Sequence, residues 1–324
     1  MTETDITVAR AVPDGGTWRF LMRVLVTGAS GWIGSALVPE LLDAGHEVVG
    51  LARSDSSASA LGDIGTQVVR GDLDDLDVLA EAASGADGVA HLAFKHDIAF
   101  SGDYQGAADA DRRAVEALGG ALAGTDRPFV IASGTLGLAP GRIATESDGL
   151  EPVLDASDPF RGPGSRMATA QLVLSMASRG VRSSVVRLPP TVHGEGDNGF
   201  MAALVAVARD KGVSGFIGDG SNRWPATHRL DAGQLFRLAL EGAPAGSALH
   251  AVAEEGVPIR EVAEVIGRHL ELPVQARPAE HFGWLGRFLG IDAQVSSALT
   301  RERFGWEPTG PGLLEDLDRG HYFG

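Results

Sequence analysis

The chain is 324 residues long and 44% apolar, which suffices for one large domain with a smaller lobe around a sizeable core. Its formal charge of −16 and pI near 4.9 argue against a nucleic-acid surface, since phosphates are repelled unless basic residues segregate into a patch, and none is visible. The absence of cysteine excludes disulfides, thiol nucleophiles and thiolate metal sites, and no stretch reads as a membrane span or a signal peptide, so a cytoplasmic protein is expected.

Residues 1–21 are polar, glycine-bearing and aperiodic, and read as a disordered tail whose deletion should leave activity and stability intact. The apolar run Arg23-Val24-Leu25-Val26 reads as a strand, and Thr27-Gly28-Ala29-Ser30-Gly31-Trp32-Ile33-Gly34 as the turn into a helix over Ile33 to Ala44, stopped by Gly45. A strand, a glycine turn and a helix start in this order grip a dinucleotide. Gly28 permits the tight turn, Gly31 lets backbone N–H groups approach the pyrophosphate, and Gly34 lets the helix pack closely on the sheet. The next strand, His46-Glu47-Val48-Val49-Gly50-Leu51, completes a βαβ unit, and its end says which dinucleotide. An NAD site places a carboxylate about 20 residues beyond the glycines for the ribose 2′-OH, whereas this strand runs into Ala52-Arg53-Ser54. A guanidinium pairs with phosphate oxygens that a carboxylate would repel, so NADP(H) is expected ahead of NAD(H), with Asp55 as the residue that could still serve as the acid.

Further along, Thr66 to Arg70 reads as a strand ending in Gly71-Asp72-Leu73, Asp74 to Ala83 as a helix, Gly88 to Ala93 as a strand and Asp103 to Ala123 as a long helix. Phe129 to Ser133 is a strand with Gly134-Thr135 at its carboxyl end, Arg166 to Ser178 a helix, and Val181 to Leu188 a strand stopped by Pro189-Pro190. Strands alternating with helices predict an α/β fold, a Rossmann-like doubly wound parallel sheet over residues 22–188, with ligands at the carboxyl ends of its strands. From Pro189 the pattern loosens into helical stretches near Asn198–Lys211, Asp231–Glu241, Pro258–Leu270 and Ala279–Leu289, read as a smaller, interleaved substrate lobe over residues 189–324.

Taken together, these positions resemble the extended short-chain dehydrogenase/reductases, the superfamily of the nucleotide-sugar epimerases and dehydratases. The resemblance covers nearly all the chain from Arg23. It rests on Thr27–Gly34 as TGxxGxxG, Gly71-Asp72-Leu73, His91-Leu92-Ala93 and Arg187-Leu188-Pro189-Pro190-Thr191-Val192-His193-Gly194, then on Gly218-Asp219-Gly220, Arg223, His228, Asp231 and Phe304-Gly305-Trp306-Glu307-Pro308. It implies that Gly28, Ser30, Gly31, Trp32 and Ile33, with Gly34, meet the pyrophosphate, that Arg53 and Ser54 meet the 2′-phosphate, and that Asp72 and Leu73 meet the adenine. Leu92, Ala93 and Phe94 would line the cofactor's middle, and Leu188, Pro189 and Thr191 the nicotinamide end. Leu92, Ala93 and Leu188 also read as core, and Asp72 as a helix cap. Members often dimerise through helices like Asp103–Ala123 and Arg166–Ser178, so a homodimer is an expectation too.

The departure from the pattern is chemical. The superfamily usually moves a proton with a tyrosine, backed by a lysine four residues later and by a serine or threonine at the end of the fifth strand. Here the two tyrosines are Tyr104 and Tyr322, neither followed by such a lysine, and the helix that should carry the pair holds Arg166 and Ala170 at its two positions. The chain reads as an atypical member. Ser133 and Thr135 can donate hydrogen bonds to a developing alkoxide, Arg166 can supply fixed positive charge but no proton, and His193 can shuttle protons near neutrality. Lys95-His96-Asp97 offers a second cationic cluster. Plainer roles compete with each: turn chemistry, a surface ion pair, a structural histidine, a solvated loop. No metal site is expected, because His91, His96, Asp97 and His193 lack ligand spacing. A nucleophilic triad is not expected either, because Ser133 lacks the strained elbow. Phe200, Phe216, Trp224, Trp284 and Phe288 point to a substrate less polar than a nucleotide sugar. The expected function is an NADP(H)-dependent oxidoreductase acting on a small carbonyl-like compound. The alternatives are a non-catalytic NADP-sensing protein that signals to a partner, and an epimerase, dehydratase or isomerase that retains its cofactor.

Overall fold

The computed structural model describes residues 10–14, 17–151 and 165–324. Its first element corrects the expected tail: β1 (Arg10–Asp14) pairs antiparallel with β2 (Thr17–Leu21), while residues 1–9 lie outside the described residues. The signal was present in the sequence, since Asp14-Gly15-Gly16 is turn-forming and Val12, Trp18 and Phe20 favour strands, but it was masked by polar neighbours.

The main sheet takes β3 (Arg23–Thr27), β4 (Glu47–Ala52), β5 (Gln67–Arg70), β6 (Gly88–His91), β7 (Pro128–Gly134) and β8 (Arg182–Leu188). After β9 (Thr191–His193), β10 (Ser214–Phe216) and β11 (Arg223–His228), the chain returns to it as β12 (Ser247–His250), before β13 (Glu254–Pro258) and β14 (Val274–Ala276). The seven strands are all parallel in the order β12-β8-β7-β6-β3-β4-β5, so the winding reverses between β3 and β6. That is the crevice where doubly wound folds take their ligand.

The central strands β3, β6 and β7 are buried and mostly apolar, and alternation sorts the apolar side chains of the sheet into two layers. Val24 and Val26 face Leu37 and Leu41 of α1 (Gly34–Asp43), with Leu235, Phe236 and Leu240 of a later helix that packs on α1. Leu25 and Val49 face the other layer, built from Leu79, Leu118, Phe129 and Val173. Each such side chain contributes about 1.5–3 kcal/mol on full burial. The remaining helices are α2 (Asp55–Asp63), α3 (Leu76–Ser84), α4 (His96–Phe100), α5 (Tyr104–Ala121), α6 (Arg166–Ser175) and α7 (Phe200–Lys211). They continue as α8 (Arg229–Gly242), which is the helix on α1, then α9 (Ile259–Leu270), α10 (Gly286–Leu289), α11 (Ala298–Phe304) and α12 (Leu313–Asp318). A third core joins Met201, Leu204, Phe216, Trp224, Val257 and Ile266 in the lobe, under the small sheets β13-β11-β9 and β10-β14.

Two helices differ from expectation for local reasons. Asp55–Asp63 shows little apolar periodicity in sequence, yet Ser54 and Ser57 form a reciprocal capping box that starts α2. Ala279–Leu289 is not one helix: a 3₁₀ turn over Ala279–Leu285 breaks at Gly283, whose φ of 54° no right-handed helix accommodates, and only Gly286–Leu289 is α-helical.

Candidate functional site

At the reversal point the glycine turn is fixed by contact. Gly28 has φ +69°, and a Cβ on it would stand 2.8 Å from the Ala93 backbone nitrogen at the exit of β6. The Gly31 N–H closes the turn on the Gly28 carbonyl at 2.9 Å. A Cβ on Gly34 would stand 2.1 Å from the Gly28 oxygen, so Gly34 secures the turn itself, rather than the packing of helix on sheet expected from sequence. Behind the turn, Thr27 Oγ1 meets His91 Nδ1 at 2.8 Å and receives the Ala93 N–H at 3.3 Å, and His91 Nε2 donates to Asp111 Oδ1 at 3.1 Å. These buried bonds pin the exit of β6 beside that of β3. The N-cap of α1, Ile33, offers no side-chain acceptor, and among the described residues the Trp32 and Ile33 N–H groups have no hydrogen-bond acceptor. Free donors and a positive helix end beneath exposed Ser30 fit a pyrophosphate. The Trp32 indole turns aside, donating to the Val192 carbonyl at 2.9 Å.

At the end of β4, the Arg53 guanidinium is exposed and reaches Asp97 at 3.3 Å. Ser54 caps α2, accepting the Ser57 N–H at 3.2 Å. Asp55 is engaged by a residue the sequence reading passed over: Arg70, ending the neighbouring β5, donates to the Ser54 carbonyl and, at 2.7 Å, to Asp55 Oδ1. A basic residue closing the adjacent parallel strand was the available signal. Asp72 lies 2.9 Å from Lys95 Nζ, which also holds Asp74 at 2.6 Å. Against the upward pull of burial, Lys95 and the N–H groups of Asp74 and Leu73 keep the Asp72 carboxyl below its ordinary value. Lys95-His96-Asp97 is therefore no free cationic cluster: Lys95 is paired, Asp97 takes Arg53, and His96 opens α4. Leu73 is buried, and Leu92 and Ala93 are half-buried against the two sheet cores.

The opposite end of the groove lies where β7 and β8 finish. Arg166, first residue of α6, donates from Nη2 to the Ala132 carbonyl at 2.9 Å and lays its guanidinium over the Phe94 ring at 4.4 Å from Cζ to centroid. Among the described residues its Nε is buried without a partner, as are the hydroxyls of Thr135 and Thr191. Thr135 is held in place by its N–H on the Leu188 carbonyl at 3.0 Å, next to buried Ser133 and Pro189. Each unmet buried polar group costs about 1–3 kcal/mol, which a folded chain tolerates where a ligand supplies the partner.

His193 is engaged elsewhere, although its Nε2, too, is buried without a partner among the described residues. Its side chain is fully buried, its Nδ1 donates to Asp316 Oδ2 at 2.9 Å, and its ring meets His228 edge-on at 5.5 Å. Against burial, His193 holds the Asp316 carboxyl below its ordinary value. The segment expected as a glycine loop is β9, registered on β11 with His193 opposite His228, and that pairing carries the ring inward. In the lobe, Phe200 sits between buried Trp224 at 5.3 Å, Trp284 at 5.4 Å and Phe288 at 5.8 Å, and Trp284 is exposed. Arg229, also unforeseen, stacks on Trp32 at 5.1 Å and ties the lobe to the glycine turn.

The comparisons agree with this geometry. Residues 24–251 match the NAD dependent epimerase/dehydratase family. An uncharacterized protein of Schizosaccharomyces pombe is 47% identical over 307 residues, 93% of this chain and 100% of that one. A 2-alkyl-3-oxoalkanoate reductase of Stenotrophomonas maltophilia is 30% identical over 253 residues, 74% of this chain and 73% of that one. The dTDP-glucose 4,6-dehydratase DesIV of Streptomyces venezuelae, solved with NAD and TYD bound, shares the fold with a TM-score of 0.72 at 23% identity, over 93% of this chain and 96% of that one. Sheet order, glycine turn and match together show that the chain belongs to the NAD dependent epimerase/dehydratase family, as an atypical extended short-chain dehydrogenase/reductase without the Tyr-x-x-x-Lys pair.

Proposed function

We propose that the protein is an NADP(H)-dependent oxidoreductase that reduces a small, fairly apolar carbonyl-like compound: an aldehyde, ketone, imine or enone. The observation that carries this reading is that a buried polar atom of Thr135, and one of Arg166 beside Phe94, have no partner among the described residues, which a substrate oxygen would supply. The likeness to a reductase whose named substrate is an oxoalkanoate supports it. A bound reduced nicotinamide supplies hydride. This chain's residues do the rest. The N–H groups of Trp32 and Ile33 hold the pyrophosphate, and Arg53 and Arg70 hold the 2′-phosphate while Arg70 occupies Asp55. The hydroxyls of Ser133 and Thr135 hydrogen-bond the substrate oxygen, and Arg166 stabilises the negative charge that develops there. Phe200, Trp284 and Phe288 shelter the apolar part from water.

Following NADPH oxidation against the four substrate classes tests the reading; turnover is expected, with NADPH ahead of NADH, and failure across all classes overturns it. Arg53→Ala is expected to weaken NADP binding about 10- to 100-fold and NAD binding by less than about threefold. An unchanged preference for NADP would sink the cofactor assignment.

A further inference from the structure

Tyr104 was set aside in sequence because no lysine follows it, but the fold brings it to the site by another route. It opens α5, and its ring lies 6.2 Å, centroid to centroid, from Phe94. Phe94 is the ring that carries the Arg166 guanidinium at 4.4 Å. Phenol and guanidinium thus flank one aromatic ring at the mouth of β6 and β7. Tyr104 is 44% exposed, so the residue stands at the open edge of the site. Facing it are Arg166 from α6 and Asp111 from its own helix, with His96 of α4 edge-on to Phe94 at 5.0 Å. Asp111 is itself immobilised by His91 at 3.1 Å.

We propose that Tyr104 is the proton donor to the substrate oxygen and that Arg166 is its electrostatic partner, so that two separate helices replace the missing Tyr-x-x-x-Lys pair. This rests on the oxidoreductase reading above. As the carbonyl carbon accepts hydride from a reduced nicotinamide, the carbonyl π pair moves to oxygen. The Tyr104 O–H bond breaks while the new substrate O–H bond forms, and the phenolate, facing Arg166, takes a proton back from water. Burial raises the phenol's pKa and Asp111 adds to this, outweighing the downward pull of Arg166, so the donor is protonated through the neutral range. The competing acids are weaker candidates. Arg166 does not release a proton, and burial together with the charge of Arg166 pushes the His96 imidazole below its ordinary value, towards the neutral form that has no acidic proton to give at neutral pH.

Two measurements test this. The first follows phenolate absorbance against pH. Tyr322 is silent there, because burial and Asp197 push its pKa far up. The titration should therefore vanish in Tyr104→Phe. Its midpoint should rise by about half a unit or more in Arg166→Gln and return in Arg166→Lys. A midpoint that ignores Arg166 overturns the partnership. The second compares turnover: Tyr104→Phe should lower kcat about 100-fold or more, with KM and NADPH affinity within about threefold. Wild-type turnover that survives Tyr104→Phe overturns the donor alone. Wild-type protein that turns over no carbonyl class overturns the oxidoreductase reading, and the donor falls with it.

Discussion

Around the glycine turn the backbone itself is the site, and contact decides every position: a Cβ at Gly28 or Gly34 would stand 2.8 or 2.1 Å from a backbone atom. At the mouth of β7 and β8 side chains line the candidate site, and several of their polar atoms have no partner among the described residues. The contrast explains why one end keeps a recognisable string of residues while the other departs from its superfamily. A turn that must admit main-chain donors to a phosphate has one solution, contiguous in sequence. A proton and a positive charge near a carbonyl oxygen can be delivered from many directions, as proposed for Tyr104 on α5 and Arg166 on α6.

The largest effect should come from forcing a side chain into the backbone-built end. Gly34→Val places atoms where the carbonyls of Gly28 and Ala29 already lie, and neither can move without opening the turn. Thermal melts should show Tm lower by about 10 °C or more, or no folded protein, and NADPH binding should be lost. Unchanged melting and binding would break the contrast at its stronger side.

A smaller loss is expected from His193→Ala, which takes a hydrogen bond of 2.9 Å from buried Asp316 and leaves it His321 at 3.6 Å, at a cost of about 1–3 kcal/mol. The protein that folds should keep NADPH affinity and kcat within about threefold. If kcat collapses in folded His193→Ala, the ring belongs to the chemistry after all.

The same division governs what could be read in advance. The βαβ unit and the sheet were legible because they depend on period and spacing within about 30 residues. Three other features depend on pairings across long separations that no local pattern encodes. Arg70 meets Asp55 only because β4 and β5 are adjacent strands in register. His193 turns inward because β9 finds β11. Tyr104 and Arg166 share Phe94 as a neighbour because both helices begin at that one aromatic ring. The hairpin of β1 and β2 is the opposite case, a local turn signal outvoted by its polar surroundings.

Mild acid should loosen the side-chain end before the backbone end. Arg187, within β8, donates to the Asp148 carbonyl at 2.7 Å and to His250 Nε2 at 3.3 Å, while His250 Nδ1 donates to the Ser296 carbonyl at 2.8 Å. Burial and the charge of Arg187 lower the His250 pKa to about 4 from an ordinary 6.5. As pH falls through this window the unfolded chain takes the proton first, so stability is full above about 6.5 and declines towards 4, by about 2–3 kcal/mol in total. Urea titrations at several pH values should show this decline, and His250→Gln should flatten it. Equal slopes for wild type and variant would remove His250 as the cause.

The smallest effect sharpens the cofactor assignment within the better-understood end. Arg70 and Asp55 form an exposed pair, and such pairs contribute at most about 1 kcal/mol, so Arg70→Ala should leave Tm almost unmoved. Its consequence is selectivity instead. With Arg70 gone, one positive charge is withdrawn from the 2′-phosphate and the Asp55 carboxylate is released towards a ribose hydroxyl, so NADP should lose and NAD should gain. The ratio of the two dissociation constants should move by about three- to fivefold, well short of the change for Arg53→Ala, because Arg70 is already committed to Asp55 and the Ser54 carbonyl. A ratio that does not move would mean that Arg70 only braces α2 and that Arg53 alone reads the phosphate. A shift as large as that of Arg53→Ala would make the two arginines a single clamp.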